Sequence, residues 1–250
     1  MVTAAYAMMG DCWYTYPFNL WPYGDLTSDD CLKGGWGTGD TNYHHLEIWS
    51  SLTATNPDHM DELWYRLYCA ISRCNRAIVA LQRNGASTLG EDITNQRMAE
   101  VKFLRAHFYY KLITVFRQVP WIDEVVFENN TVEQIRNDQY TYEELFGKII
   151  DDFQTAYDVL PTQQEDGGRV NKIAAASYLA KCYLNLAWGD GYEATTGIDH
   201  INRDYMQKVI DYTDAVVSSS YGYLEDFGDI FLPDYKNSKE SIFAVQTSDY

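Results

Sequence analysis

Aromatic side chains and short polar side chains are concentrated in residues 11–57, a Gly-rich stretch with no sustained helical period. An exposed Trp or Tyr ring can stack on the apolar face of a ligand, and neighbouring Asp, Asn or Gln side chains can form hydrogen bonds with its polar groups. The acidic charge favours a ligand that is neutral, cationic or a protein. So long an irregular stretch in a compact domain indicates a functional segment or an ordered coat. On composition we select six candidate ligand-binding residues here: Trp36, Trp21, Trp13, Tyr43, Asp40 and Asn42.

Trp36 is the first choice, because its neighbours Gly34, Gly35 and Gly37 lend no bulk to bury it. The alternative for any single aromatic residue is packing that holds the loop against the rest of the protein. For the whole set we expect at least one exposed ring. A second candidate rim is the loop 188–197, which begins at Trp188 and contains four glycines or acids in its first six residues.

Catalytic and metal-binding patterns are absent from the sequence. Neither G-x-S-x-G, H-E-x-x-H nor a phosphate-binding loop occurs, and the five His residues follow no ligand spacing. Asp29-Asp30 and Asp151-Asp152 are adjacent acids, and the helical pattern places the second pair on a solvated face. We therefore predict a protein that is not an enzyme, with no catalytic residue, cofactor or metal.

Composition excludes several classes of protein and partner. The 250 residues include 36 acids, 19 bases, 21 Tyr, 10 Phe and 7 Trp, and the formal net charge is −17. So many aromatic residues exclude a disordered acidic chain, and the excess of acids disfavours nucleic acid and anionic lipid as partners. No run of about 18 apolar residues is present, so no segment is predicted to cross a membrane.

The five cysteines form no C-x-x-C pair, which removes support for a zinc or thioredoxin-type motif. Cys69, Cys74 and Cys182 lie in helical patterns and are predicted to be small buried side chains. Cys12 and Cys31 lie in loop-like sequence and could pair in an oxidising compartment.

Residues 11–57 form a loop layer, and helical periodicity dominates the chain after it. Apolar spacing predicts helices from Asp58 to about Gly85 and from about Thr94 to Gln118. Later helices begin after the capping residues Thr141 and Asn171, and a fifth covers about 203–219. Residues 241–248 are β-branched and aromatic, which favours a strand.

Side chains on the apolar faces of these helices are assigned to the scaffold. We interpret Arg105 as an arginine paired with an acid, and we expect Trp64, Phe108 and Tyr178 to lie in the core. Helix starts spaced by about 30 to 47 residues bracket the 34-residue tetratricopeptide (TPR) period. The predicted fold is all-α with little β structure: an irregular TPR-like scaffold over about 58–219 that carries the loop layer.

Four ordered motifs resemble the SusD/RagB family. Residues 99–112 read A-E-V-K-F-L-R-A-H-F-Y-Y-K-L, similar to the second core helix of that family, and Val119-Pro120 follows as in its G-x-V-P turn. Gln118 stands where the family usually has the glycine of this turn. The other three motifs lie at residues 64–75, 150–161 and 168–184. Residues 239–246 also resemble a stretch that follows these helices in the family.

The resemblance implies a surface-exposed outer-membrane lipoprotein of Bacteroidetes-type bacteria that captures oligosaccharide or polysaccharide. It would deliver the glycan to a TonB-dependent, SusC-like transporter, and it would touch the membrane only through a lipid anchor. That anchor and its signal are not among these residues. Family members are usually about twice this length, so we expect residues 1–250 to be a single domain forming the N-terminal portion of a longer protein.

The charge favours neutral glycans, because an acidic surface repels acidic polysaccharides. The alternatives are a peptide-binding, RagB-like member of the family or a TPR-type scaffold that binds only protein.

Overall fold

The computed structural model describes residues 1–10, 20–28, 30–35, 41–50, 58–129, 131–188 and 201–246. At positions 21, 41, 42, 58 and 59 only the backbone is described. Within these ranges the fold is all-α and no strand is present, which confirms the predicted class. Eight α-helices occur there: α1 (Val2–Tyr6), α2 (Thr41–Glu47), α3 (Asp58–Leu89), α4 (Glu91–Phe116), α5 (Glu124–Glu128), α6 (Tyr142–Val159), α7 (Lys172–Ala187) and α8 (Arg203–Val217).

The long helices pack in chain order, as in a helical repeat. Helix α3 lies on α4, α4 on α6, α6 on α7, and α7 on α8, while α1 contacts α3 and α4. Their apolar stripes form one continuous core, whose aromatic centre is Phe103, Phe108, Tyr109, Phe146 and Phe153. Trp64 and Tyr178 pack against this core and Phe108 is fully buried, as predicted.

Helix α3 continues past Gly85, so the predicted end at that glycine is wrong. Gly85 is instead needed for packing: a Cβ there would lie 2.5 Å from Cγ2 of Thr94 on α4. The chain turns one residue after Leu89, at Gly90, whose φ of +83° is accessible to glycine without strain. Helix α4 then begins at Glu91, three residues earlier than predicted.

Helix α4 ends at a left-handed residue, Arg117, with φ of +62°. The position that favours glycine is therefore Arg117 and not Gln118. A non-glycine residue in this region carries strain of about 1 kcal/mol or more. The Arg117 N–H donates to the Ile113 carbonyl at 3.0 Å, and its guanidinium carbon lies 5.2 Å from the centre of the Tyr142 ring. These contacts hold the turn.

The predicted caps of α6 and α7 are confirmed. The Thr141 hydroxyl accepts from the Glu144 N–H, and the Glu144 carboxylate accepts from the Thr141 N–H. The Asn171 side chain accepts from the Ala174 N–H at 2.9 Å. Because each cap satisfies backbone N–H groups that have no partner inside the helix, it defines where that helix starts.

Residues 241–246 form no strand, contrary to the prediction. Ile242 and Phe243 pack onto the helical core, and the Ile242 carbonyl accepts from Nδ2 of Asn171 at 2.8 Å. A strand needs a neighbouring strand for its hydrogen bonds, and the described ranges supply none. The loop layer also contains a helix, α2, that its composition did not predict.

Arg105 joins four helices at a buried cluster of polar side chains. Its Nε and Nη2 donate to the two Asp152 carboxylate oxygens at 2.7 and 3.0 Å. Its Nη1 donates to Oδ1 of Asn75 at 3.0 Å and to the carboxylate of Glu124. Burial alone would lower the pKa of Arg105, but the two carboxylates raise it above its ordinary value. The predicted scaffold role is confirmed.

Asp152 corrects the prediction of a solvated acidic pair. Asp151 is exposed, but Asp152 retains only 4% of its surface and forms the bidentate pair with Arg105. The two neighbours point about 100° apart on the helix, so one can face Arg105 while the other faces solvent.

We predict that Arg105→Met lowers the free energy of unfolding by about 3–5 kcal/mol, because Asp152 is then buried without its cation. Urea denaturation measures the loss. The control is Arg136→Met, which breaks an exposed pair with Asp138 and should leave stability nearly unchanged. Equal losses in the two variants would contradict a central role for the buried pair.

Lys111 supplies a pH-dependent prediction. Burial lowers the pKa of this amine to about 8, while the unfolded chain keeps the ordinary value near 10.4. Between these values the unfolded state binds more protons, so stability rises with pH. Lys111→Met should therefore be more stable than the wild type at pH 7, by a margin that shrinks toward about pH 10.

Urea denaturation of both proteins across this range measures the margin. Lys208→Met, which changes an exposed lysine on α8, is the matched control and should show no such trend. A margin for Lys111→Met that stays constant with pH would refute the explanation.

Candidate functional site

The loop layer has a small hydrophobic core of its own. Leu26 is fully buried, and it contacts Tyr43 and Leu46, which lie three residues apart on one face of α2. Tyr23 and Cys31 pack against this group. Within the described residues this cluster is separate from the main helical core, so the loop layer packs around buried side chains of its own.

Tyr23 connects the layer to the helical scaffold. Its ring packs against both hydrophobic clusters, and Leu20 packs against the main core beside it. Burial, together with the nearby Tyr43 and Glu62, raises the pKa of the Tyr23 phenol, so the group stays neutral. Since Glu62 belongs to the first turns of α3, the layer lies against the start of that helix.

Among the described residues of the layer, Trp49 is the exposed aromatic ring. The side chain is 69% exposed, and its backbone has φ of +54°, in the left-handed region that bulky residues rarely occupy. The indole Nε1 of Trp49 donates to the Thr27 carbonyl at 3.1 Å, and the backbone N–H of Trp49 donates to the Leu46 carbonyl at 3.2 Å. The edge of the indole is thus anchored while much of its surface faces water.

The turn that carries the Thr27 carbonyl is ordered by short-range hydrogen bonds. Oγ1 of Thr27 donates to the Tyr23 carbonyl at 3.0 Å, and Oγ of Ser28 donates to the Asp25 carbonyl at 2.9 Å. Asp25 and Asp30 are exposed in the same turn, and their carboxylates are acceptors for hydroxyl groups. The described part of the layer therefore exposes an aromatic ring and, in the turn that holds the edge of its indole, two carboxylates.

Tyr43 has a packing role. It is only 8% exposed, because α2 turns its ring toward Leu26, and so it offers no stacking surface. Trp13, Trp36 and Asp40 lie outside the described residues. For Trp21, in the 3₁₀ turn Trp21–Tyr23, and for Asn42, in α2, only the backbone is placed. Their selection as ligand contacts stays a prediction.

The selection by composition missed Trp49, although this residue belongs to the same aromatic stretch. Its exposure depends on a left-handed backbone and a hydrogen bond to a residue 22 positions away. Of the second candidate rim, Trp188 is exposed at the end of α7, and residues 189–197 lie outside the described part.

No group of three or more His, Cys, Asp or Glu side chains within the described ranges could hold a metal ion. Among the helices that are described, none combines the length and apolarity required to cross a bilayer. Cys12 is outside the described residues, so its pairing with Cys31 stays a prediction.

Stacked helices with an aromatic loop layer define a helical-repeat scaffold that presents surface loops. Comparison with known proteins identifies the family. Residues 35–184 match the SusD-like family model described as "Starch-binding associating with outer membrane". The chain therefore belongs to the SusD-like family.

Individual relatives agree with this assignment. SusD-like protein P2 of Formosa agariphila is 32% identical over 121 residues, which are 48% of this chain and 23% of that protein. Two solved structures share the fold: surface glycan-binding protein A from Bacteroides fluxus and a laminarin-binding SusD-like protein. Their TM-scores are 0.74 and 0.72, with 23% and 22% identity, 97% of this chain covered in each case, and 48% and 49% of those chains. The chain thus spans about half the length of these solved relatives, and its match to the curated protein covers about a quarter of that protein.

We predict that Leu26→Ala loosens the loop layer without unfolding the helical scaffold. A buried Leu→Ala change costs about 2–5 kcal/mol, and the small cluster has few other contacts to compensate for the loss. Hydrogen exchange at α2 should accelerate, while exchange within α4 and α6 should be unchanged. The matched control is Leu32→Ala, since Leu32 is exposed. Unchanged exchange at α2, or equal acceleration in both variants, would contradict an independent loop-layer core.

Proposed function

We propose that this protein binds glycans at the loop layer, with Trp49 as a ring on which a sugar stacks. The supporting observation is the geometry of Trp49: its indole edge is held by the Thr27 carbonyl, while the side chain remains 69% exposed. An ordered aromatic side chain loses little conformational freedom on binding, so more of the stacking energy contributes to affinity.

The chemistry of the surroundings supports a glycan over a purely apolar ligand. Carboxylates at Asp25 and Asp30 are exposed in the turn that carries Thr27 and can accept hydrogen bonds from sugar hydroxyls. The names of the two solved relatives, one a surface glycan-binding protein and one laminarin-binding, support the same ligand class.

A neutral glycan is the favoured ligand. In the first 50 residues Lys33 is the only Lys or Arg, against six acids, and the whole chain carries a net charge of −17. An acidic polysaccharide would be repelled from this surface, and the repulsion would weaken with added salt.

The wider function follows from the family. The proposal is that a glycan captured by this chain passes to a TonB-dependent, SusC-like transporter in the outer membrane, to which a lipid anchor would hold the protein. It would bind without cleaving the glycan. The proposal also treats residues 1–250 as one domain of a longer SusD-like protein.

Affinity electrophoresis and calorimetry with laminarin and xyloglucan test the proposed site. Trp49→Ala should weaken binding about tenfold or more, equivalent to about 1.4 kcal/mol, because the stacking surface is removed. Trp49→Phe should retain part of the affinity, since a smaller ring remains. Trp36→Ala and Trp21→Ala test the composition-based candidates in the same assay.

Tyr223→Ala is the matched control, because Tyr223 is an exposed aromatic residue outside the loop layer. If Trp49→Ala binds as well as wild type, or if no neutral glycan retards the wild-type protein, the proposed site is wrong. Oligosaccharides that become shorter during incubation would contradict binding without cleavage.

A further inference from the structure

A groove of about 480 Å³ lies on a part of the fold that the loop layer does not include. One wall lies in the first half of α3, from Trp64 to Ser72, and the other is formed by residues 120–129 and 131–135, which include α5. Three aromatic rings and four branched aliphatic side chains account for most of its lining. The lining residues are Trp64, Tyr68, Ile71, Ser72, Pro120, Ile122, Phe127, Val132 and Ile135.

The groove has defined walls. Oη of Tyr68 donates to the Pro120 carbonyl at 2.7 Å, and Nδ2 of Asn75 donates to the Ile122 carbonyl at 2.8 Å. Trp64 packs edge-on against Phe116 with ring centres 5.0 Å apart. These contacts tie the segment after α4 to α3, so the two walls keep their separation.

The α3 side of the groove is basic in an otherwise acidic protein. From Leu63 to Gly90 the chain has four arginines and no Asp or Glu. The guanidinium carbon of Arg76 lies 5.9 Å from the centre of the Phe127 ring, so a cation stands beside the groove lining. Arg73 and Arg76 are exposed, and neither has an acidic partner among the described residues.

The acids of the opposite wall are largely engaged elsewhere. Asp123 accepts the N–H groups of Val125 and Val126, Glu124 pairs with Arg105, and Glu128 pairs with Arg83. Arg105 lowers the pKa of Glu124, although partial burial alone would raise it. Glu133 is exposed between the lining residues Val132 and Ile135, so this wall keeps one acid of its own. Among the described residues, the unpaired positive charge lies on the α3 side of the groove, at Arg73 and Arg76.

We propose that this groove binds a peptide segment of a protein partner in which bulky apolar residues are flanked by Asp or Glu. Apolar anchors would fill the space between Trp64, Ser72 and Phe127, and a carboxylate would pair with Arg76. This inference does not depend on glycan binding at the loop layer.

The extent of the apolar surface favours a peptide over a small amphiphile. Beyond the groove lining, Tyr65 and Val125 are 63% and 59% exposed, on α3 and α5 respectively. A small molecule that filled the groove would leave these side chains in water, whereas a segment several residues long could cover them.

Selection from a phage-displayed library of random 12-residue peptides tests the proposal. The wild-type chain is the target, and Ser72→Tyr, whose ring fills the groove, serves for counter-selection. We expect the selected peptides to be enriched in Trp, Phe or Leu beside Asp or Glu. Synthetic peptides from the selection are then measured by fluorescence polarisation, each with a twin in which Lys replaces every acid.

Arg76→Glu should weaken binding of the acidic peptides about tenfold, because attraction becomes repulsion. Lys208→Glu, an equal charge reversal on α8, should change it less than about twofold. The Arg76→Glu comparison also tests the proposal if Ser72→Tyr fails to fold. Glycan retardation of Arg76→Glu should match the wild type, which separates this groove from the proposed glycan site.

Three results would overturn the proposal. The library could yield no peptide that distinguishes wild type from Ser72→Tyr, the Lys-bearing twins could bind as well as the acidic peptides, or Arg76→Glu could bind the acidic peptides unchanged. Dodecanoate is assayed in parallel. If dodecanoate bound the wild type but not Ser72→Tyr, and no peptide bound, the groove would instead be a site for a small amphiphile.

Discussion

The buried guanidinium of Arg105 imposes the strictest constraint on this structure. A charge removed from water is tolerated only where carboxylates and other acceptors meet it with correct geometry. Here Asp152 of α6, Glu124 of α5 and Asn75 of α3 all converge on one side chain of α4. Separation of α4 from α6 would leave the buried charges of Arg105 and Asp152 unpaired, and a shift of α3 or α5 would remove one of the other two acceptors of Arg105. Asn75 in turn holds the Ile122 carbonyl, so the same cluster positions the segment that forms one wall of the groove.

Local signals predicted the helical scaffold well, because each depends on residues close together in sequence. Thr141 with Glu144 forms a capping box, and Asn171 caps α7, wherever the helices finally pack. The errors arise where a distant contact decides the outcome. Gly85 lies inside α3, where its missing Cβ makes room for Thr94, and Asp152 is buried because Arg105 lies opposite it. Neither contact can be recognised from the residues within one helical turn of the position concerned.

The candidate site was predicted less completely, for a related reason. Composition correctly located a stretch in which aromatic and acidic residues are concentrated, and the described part of that stretch does expose an aromatic ring. Which ring is exposed depends on backbone conformation. Tyr43 and Trp49 are both aromatic and lie six residues apart, but α2 turns the first toward Leu26, and a left-handed residue turns the second outward. Residue type alone does not distinguish these outcomes.

Helix α3 links the two surfaces of this protein that are suited to ligands. Glu62 in its second turn lies near Tyr23, through which the loop layer packs onto the scaffold, and the next residues, from Trp64 to Ser72, line the groove. Charge changes sign along the same helix: Asp58, Asp61 and Glu62 are followed by 28 residues with four arginines and no acid. Coulomb interactions are felt over roughly 8–10 Å at physiological ionic strength, so the Trp64 end of the groove still lies within range of Asp61 and Glu62. The arginines Arg73 and Arg76 follow the last lining residue of α3, Ser72. The acidic start of α3 suits a neutral glycan and these arginines suit an acidic segment, so one helix can contribute to both proposed surfaces.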